Sequence, residues 1–248
     1  MSNLSRRKFM FTAGATAVGA TILHGCTTGN NAPTTEASPE GQASPAVAGA
    51  EAPEVTGAKL GFIALTDSAP LIIAKEKGIF AKYGMPGVEV LKQASWPVTR
   101  DNLELGSGGG GIDGAHILSP IPYFMTLGTI TKTKQPVPMY LLARLNTNGQ
   151  AISLAESFKP LKVSLDSAPL KEAFAKTKDS KAAITFPGGN HDLWMRYWLS
   201  AGGIDPNKDV SVIPVPPPQM VANMKVGNMA AFCVGEPWNA QLVNQKLG

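Results

Sequence analysis

A chain of 248 residues, 44% hydrophobic and 16% charged, is long enough to bury a core in one or two domains. Its formal charge of +4 includes Arg6, Arg7 and Lys8, and no acidic residue precedes Cys26, so removal of that leader leaves the rest near neutrality and takes away the compositional case for nucleic-acid binding. Of the two cysteines only Cys233 lies in the body, which cannot build an internal disulfide or a cysteine-rich metal site by itself; no cofactor, redox or zinc chemistry is expected.

At the N-terminus, Ser5-Arg6-Arg7-Lys8-Phe9-Met10 precedes an uncharged apolar run from Phe11 to Leu23, the pattern of a twin-arginine export signal. The run is too short and too rich in Gly, Ala and Thr to span a bilayer, which takes about 20 apolar residues. Leu23-His24-Gly25-Cys26 then resembles a bacterial lipoprotein box with an unusual histidine, and Cys26 is read as the lipidated first residue of the mature chain. Residues 1–26 are thus assigned to signal and lipobox. Residues 27–57, dominated by Thr, Ala, Pro, Gly, Ser and Glu, bury too little to offset ordering entropy and form a tether.

The body opens with Lys59–Leu65, an apolar run suited to a buried strand. Asp67 or Ser68 is placed to cap a helix predicted over Pro70–Tyr83, ended by Gly84, and Val88–Leu91 reads as the next strand. A further apolar strand is predicted over Met139–Leu145. The rhythm returns with the strand Ala182–Phe186, the turn Pro187–Asn190 and a helix whose Leu193, Trp194, Tyr197 and Trp198 fall on one face, closed by Gly202-Gly203. A strand over Val210–Val215, a helix over Gln219–Val226, a strand over Ala230–Val234 and a helix after Pro237-Trp238 follow.

Alternating strands and helices imply an α/β fold with mainly parallel sheets. Two blocks, 58–145 and 146–248, are read as two lobes with a cleft between them, where open α/β sheets bind ligands. The sequence stops in or just after its last predicted helix with no segment returning to the first lobe, so a longer natural protein is expected.

Four places combine flexible backbone with hydrogen-bond donors. Trp96, after the strand that ends near Leu91, offers an indole N–H that can donate and cannot accept, as an anion requires; a half-buried packing role is the alternative. The glycine run Gly106–Gly111, leading to Ile112-Asp113-Gly114-Ala115-His116, could line a cleft with backbone N–H groups, or be a plain turn. It lacks the spacing and lysine of a phosphate loop. Gln150 lies at the crossover between the blocks and can donate through its amide, or be an exposed hinge residue. His191 begins a helix, where free N–H groups and the macrodipole favour an anion, and an imidazole adds a donor that is charged when protonated. No nucleophile elbow, zinc-protease helix or phosphate loop is present, so the chain reads as a binding protein without catalytic chemistry.

The strings Gly61–Ala74, Lys92-Gln93-Ala94-Ser95-Trp96, Gly111–His116 and Cys233-Val234-Gly235-Glu236-Pro237-Trp238 together resemble the nitrate-binding subunits of nitrate ABC transporters. The resemblance implies a two-lobed clamshell of the type II periplasmic-binding-protein kind, its second lobe and the return to the first incomplete in this sequence. It implies that Trp96, Gln150, His191 and the backbone at Gly235 touch nitrate, with a lysine from beyond residue 248, and that no metal is needed. Capture of nitrate, with nitrite as a second ligand, is expected, for delivery to an ABC permease and its ATPase from a lipid-anchored position on the periplasmic face of the inner membrane.

The alternative is bicarbonate capture. Bicarbonate-binding relatives, which use calcium, lack the histidine in the segment matching Gly189-Asn190-His191-Asp192 and read Gly-Asp-Pro at Gly235-Glu236-Pro237. Nitrate accepts hydrogen bonds through three oxygens and donates none, so a site made only of donors is expected here; bicarbonate needs an acceptor for its O–H. A related clamshell family that makes the thiamine pyrimidine uses a cysteine-rich motif with iron, which Cys233 alone cannot supply.

Overall fold

Lys59-Leu60-Gly61-Phe62 forms the first strand, β1. The computed structural model describes residues 52–177 and 180–248; Arg6, Arg7, Cys26 and the tether up to residue 51 lie outside the described residues. After β1 come helices α1 (Ala69–Glu76) and α2 (Ile79–Lys82), strand β2 (Glu89–Lys92), helix α3 (Trp96–Leu105), the two-residue strand β3 (Gly114–Ala115) and helix α4 (Pro120–Thr126). They build a parallel sheet in the order β2-β1-β3, with Gly61 opposite Leu91 on one side and Ala115 on the other.

The predicted helix over Pro70–Tyr83 is two helices. Gly78 adopts φ +65°, a left-handed conformation that ends α1 and redirects the chain into α2. The expected cap is also absent: Ser68 has helical dihedrals and its Oγ donates to the Leu65 carbonyl at 2.7 Å, while Asp67 turns toward His116.

A second sheet gathers β4 (Gln150–Leu154), β5 (Lys181–Ile184), β6 (Ser211–Pro214) and β7 (Ala231–Gly235) in the order β4-β7-β5-β6. Helices α5 (Leu170–Lys176), α6 (Asn190–Ala201), α7 (Pro217–Lys225) and α8 (Trp238–Asn244) accompany it. β5 runs parallel to β6 and β7, and β4 closes one edge antiparallel to β7. All five residues of β7 are buried, as a central strand demands.

One sequence expectation fails here for a physical reason. Met139–Leu145 takes no place in either sheet, and Tyr140 and Leu142 are 86% and 95% exposed; an apolar run favours extended backbone, but a strand also needs a neighbour to pair with. In α6 the buried face is His191, Asp192, Met195 and Leu199, whereas Leu193, Trp194 and Tyr197 are exposed. Residues 191, 195 and 199 follow the four-residue spacing of one helix stripe, and the large aromatics lie outside that stripe.

One apolar cluster takes Ile63, Leu65, Trp96 and Met125 from the first part together with Phe186, Met220, Phe232 and Leu242 from the second. A separate cluster packs Leu170 and Phe174 of α5 and Met195 and Leu199 of α6 against Ile184 and Cys233 of the second sheet. Fully burying a Leu- or Phe-sized side chain stabilises by roughly 1.5–3 kcal/mol, so Phe232, with no exposed surface, is a principal joint between the two parts.

Candidate binding site

The carbonyl end of β1 is strapped to the end of β7. Thr66 N–H donates to the Glu236 carbonyl at 2.8 Å, the Trp238 indole to the Ala64 carbonyl at 3.2 Å, and Glu236 N–H to the Gly149 carbonyl at 2.9 Å. These bonds hold the Thr66–Ser68 turn beside Gly149, Gln150 and Gly235. Gln150 and Gly235 stand opposite each other in the β4–β7 ladder. A Cβ on Gly235 would make only ordinary contacts with Leu65 and Gly149, so packing alone does not demand glycine there.

From this turn Asp67 reaches His116, with Oδ1 3.3 Å from Nε2 and both side chains largely buried. The pair is close enough to attract, yet Asp67 Oδ1 accepts no hydrogen bond. His116 follows β3, anchored by its backbone N–H on the Gly61 carbonyl at 2.9 Å. Its ring lies 6.0 Å from that of Trp96, tilted by 54°.

Trp96 opens α3. Ser95, in extended conformation, accepts from the Val98 N–H at 3.3 Å and caps the helix, which fixes the tryptophan at its first position. Trp96 is fully buried rather than half-buried, and its indole N–H has no acceptor.

His191 is the second residue of α6 and 1% exposed. Its Nδ1 lies 2.6 Å from Thr185 Oγ1, and Nε2 is buried without a partner. Burial pushes the imidazole down to about 4, with the Asp67 carboxylate opposing the shift, so the ring is neutral near pH 7. The imidazole donor expected from the sequence is therefore in its neutral form near pH 7. The helix start is also partly satisfied from within, because Asp192 accepts from the Gly188 N–H at 2.7 Å and pairs with Arg196 at 2.7 Å.

The glycine run behaves differently. Gly109 and Gly111 donate to the Gly106 carbonyl and Gly110 to that of Ser107, so these N–H groups are consumed within the turn. The run borders a surface hollow of about 340 Å³ with Lys59, Glu89 and Asp113, and it does not join Trp96, Gln150 or His191. A second hollow, about 300 Å³ beside Lys171 and Lys208, is likewise elsewhere.

Among the described residues, the buried side-chain polar atoms without a hydrogen bond are Asp67 Oδ1, Trp96 Nε1, His116 Nδ1, Gln150 Oε1, Asn190 Oδ1 and His191 Nε2. Buried polar atoms are almost always paired, so these are the candidates for contact with a polar guest. Asp67 joins this set to His116 and, through it, to the Trp96 ring, and its charge acts on His191, although no direct hydrogen bond links Trp96, Gln150 and His191 to one another. The sequence reading passed over Asp67, taken as a helix cap, and Thr185, taken as an ordinary strand residue. A polar Thr185 closing the apolar run Ala182-Ala183-Ile184, six residues before His191, was the one local signal. Asp67 adds an acceptor beside His116, where the expected site holds donors only, since an ionised carboxylate can only accept.

The fold is thus a mixed α/β arrangement with unpaired buried polar groups near the ends of strands from both sheets. Residues 51–248 match the NMT1-like family, and the chain belongs to that family. It is 66% identical over 258 aligned positions to the nitrate/nitrite binding protein NrtA of Synechocystis sp., covering 100% of this chain and 57% of the relative. To the bicarbonate-binding protein CmpA of Synechococcus elongatus it is 43% identical, covering 99% of this chain and 55% of the relative. The crystal structure of the periplasmic nitrate-binding protein NrtA from Synechocystis superposes with a TM-score of 0.77 at 70% identity, over 79% of this chain and 51% of that one. The chain thus spans somewhat over half the length of the curated relatives it matches.

Proposed function

We propose that this chain captures nitrate, with nitrite as a second ligand, at the cluster of Trp96, Gln150, His191 and the backbone of Gly235. The observation that carries the reading is the set of buried, unpartnered polar atoms that includes Trp96 Nε1, Gln150 Oε1 and His191 Nε2. An amide can present either its oxygen or its nitrogen by a flip, so Gln150 can donate from the same position. Nitrate offers three acceptor oxygens and one negative charge. A hydrogen bond to a charged group contributes roughly 1.5–3 kcal/mol, and three or four of them reach the roughly 8 kcal/mol of micromolar binding if the groups are held in place beforehand. The greater similarity to the nitrate/nitrite binding protein than to the bicarbonate-binding one supports the same choice.

The proposal extends to the surroundings. Residues 58–145 and 146–248 act as two lobes of a clamshell around the anion. Arg6 and Arg7 direct export, Cys26 carries the lipid anchor at the periplasmic face of the inner membrane, and an ABC permease with its ATPase receives the ligand. The protein is a carrier with no catalytic step.

Asp67 gives the second reading its footing, because a carboxylate could accept the O–H of bicarbonate. Titration calorimetry of the full-length protein with nitrate, nitrite and bicarbonate, with and without calcium, separates the two. Micromolar nitrate binding that ignores calcium is expected. Calcium-dependent bicarbonate binding with no response to nitrate would overturn the proposal.

A further inference from the structure

Thr185 directly follows β5, is 3% exposed, and meets His191 across 2.6 Å. A hydroxyl–imidazole contact can run in either direction, and the direction decides what the other ring nitrogen presents. If Nδ1 carried the hydrogen and donated it, the Thr185 hydroxyl hydrogen would need another acceptor, and among the described residues Thr185 makes this one side-chain hydrogen bond. A buried hydroxyl hydrogen with no acceptor is costly, so the favourable direction is Oγ1–H to Nδ1.

Burial keeps the ring neutral near pH 7, so it carries a single N–H. With Nδ1 accepting, that hydrogen sits on Nε2, the buried nitrogen that has no partner within the protein.

We propose that Thr185 is a positioning residue: by donating to His191 Nδ1 it fixes the Nε2–H tautomer and turns the free ring nitrogen into a donor for an oxyanion. This rests on the nitrate reading above for the identity of the anion. The consequence for selectivity is a matter of sign. The opposite tautomer would face the ligand with a lone pair, which repels an acceptor such as nitrate and suits a ligand carrying an O–H. One hydroxyl thus sets whether His191 attracts or rejects a guest that only accepts hydrogen bonds.

The test reads the ring and the binding separately, in the full chain. Long-range proton–nitrogen correlation spectra of the parent without anion should show His191 as the Nε2–H tautomer; an Nδ1–H tautomer overturns the proposal. Thr185→Val keeps the shape and deletes the hydroxyl. It should mix the two tautomers and weaken binding of sodium nitrate about tenfold, the equivalent of one modest hydrogen bond. Thr185→Ser should hold the Nε2–H tautomer and bind within about twofold of the parent, within the usual scatter of a conservative change. A folded Thr185→Val protein with parent-like nitrate affinity refutes the role, as does a serine variant that binds no better than the valine one. If Thr185→Val does not fold, the parent spectrum and the serine variant still decide. A parent that binds no nitrate would defeat the proposed function, while its spectrum would still settle the tautomer.

Discussion

Two glycine-rich turns invite the same interpretation and end in opposite roles. Gly106–Gly111 leaves α3, and Pro187-Gly188-Gly189 enters α6; both offer backbone N–H groups. In the first, the N–H groups of Gly109, Gly110 and Gly111 bond within the turn, and Gly111 presses on the last turns of α3. In the second, the turn delivers Asn190 and His191 into a buried setting where each keeps a polar atom unpaired. Glycine content makes a tight turn possible in both. Both turns spend donors internally, since Gly188 donates to Asp192 and Gly189 to the Phe186 carbonyl, so what separates them is the residue that follows.

The largest effect expected from this contrast is on stability, in the turn that binds nothing. A Cβ on Gly111 would fall 2.1 Å from the Asn102 carbonyl oxygen, a backbone atom that already accepts from Gly106 and Ile112. Gly111→Ala should cost about 3 kcal/mol or more by overpacking, read as a lower urea midpoint. An unchanged midpoint would mean the turn is looser than described.

Next comes the acid response of the second turn. His191 titrates near 6.5 when unfolded and at about 4 when folded, so only the unfolded state takes up a proton between those values. Stability should therefore be constant above about pH 6.5, fall by up to about 3 kcal/mol as pH drops toward 4, and lose nothing further from this group below that. His191→Gln should flatten the slope in that window. A parallel loss in both proteins would assign the acid sensitivity to other groups.

How much of this could be read from the chain depends on the kind of signal. β1, β2, β5, β6 and β7 are short apolar runs bounded by Gly and Pro, and α6 to α8 follow turn residues that start helices, so local chemistry placed them. The break at Gly78 was missed because the helical pattern reads through a single glycine, whose left-handed φ is a backbone fact. Met139–Leu145 pairs with no strand, and a local apolar run cannot tell, because whether a strand finds a neighbour depends on residues far away in sequence. Among the candidate site residues, Trp96 stood out as a donor after a strand and His191 as one at a helix start. Asp67 did not, because its contact with His116 exists only once β1 and β3 lie side by side.

A ligand experiment sharpens the comparison further. In the full-length protein His191→Ala should weaken nitrate binding by roughly 1.5–3 kcal/mol, or about ten- to a hundredfold, since it deletes a donor to a charged guest. His116→Ala tests the neighbour: its ring touches Trp96 and Asp67, and its loss should weaken binding less, through misplacement of those groups. Circular dichroism must show both variants folded. A larger loss for His116→Ala would move the centre of the site toward β3.

The smallest effect should come from Gly108→Ala. A Cβ at Gly108 meets no atom within 4 Å, and its φ lies outside the left-handed range, so alanine fits without strain. Fewer backbone conformations in the unfolded chain then favour the folded state by about 0.4–1 kcal/mol. Nitrate affinity should stay within about twofold of the parent, the scatter of a neutral surface change. The run donates its N–H groups to itself and borders a hollow that Trp96, Gln150 and His191 do not line, so nothing physical connects it to the anion. A tenfold loss of nitrate affinity in a folded Gly108→Ala protein would show that the run closes on the ligand after all, and the distinction between the two turns would have to be drawn by their motion rather than by the residues that follow them.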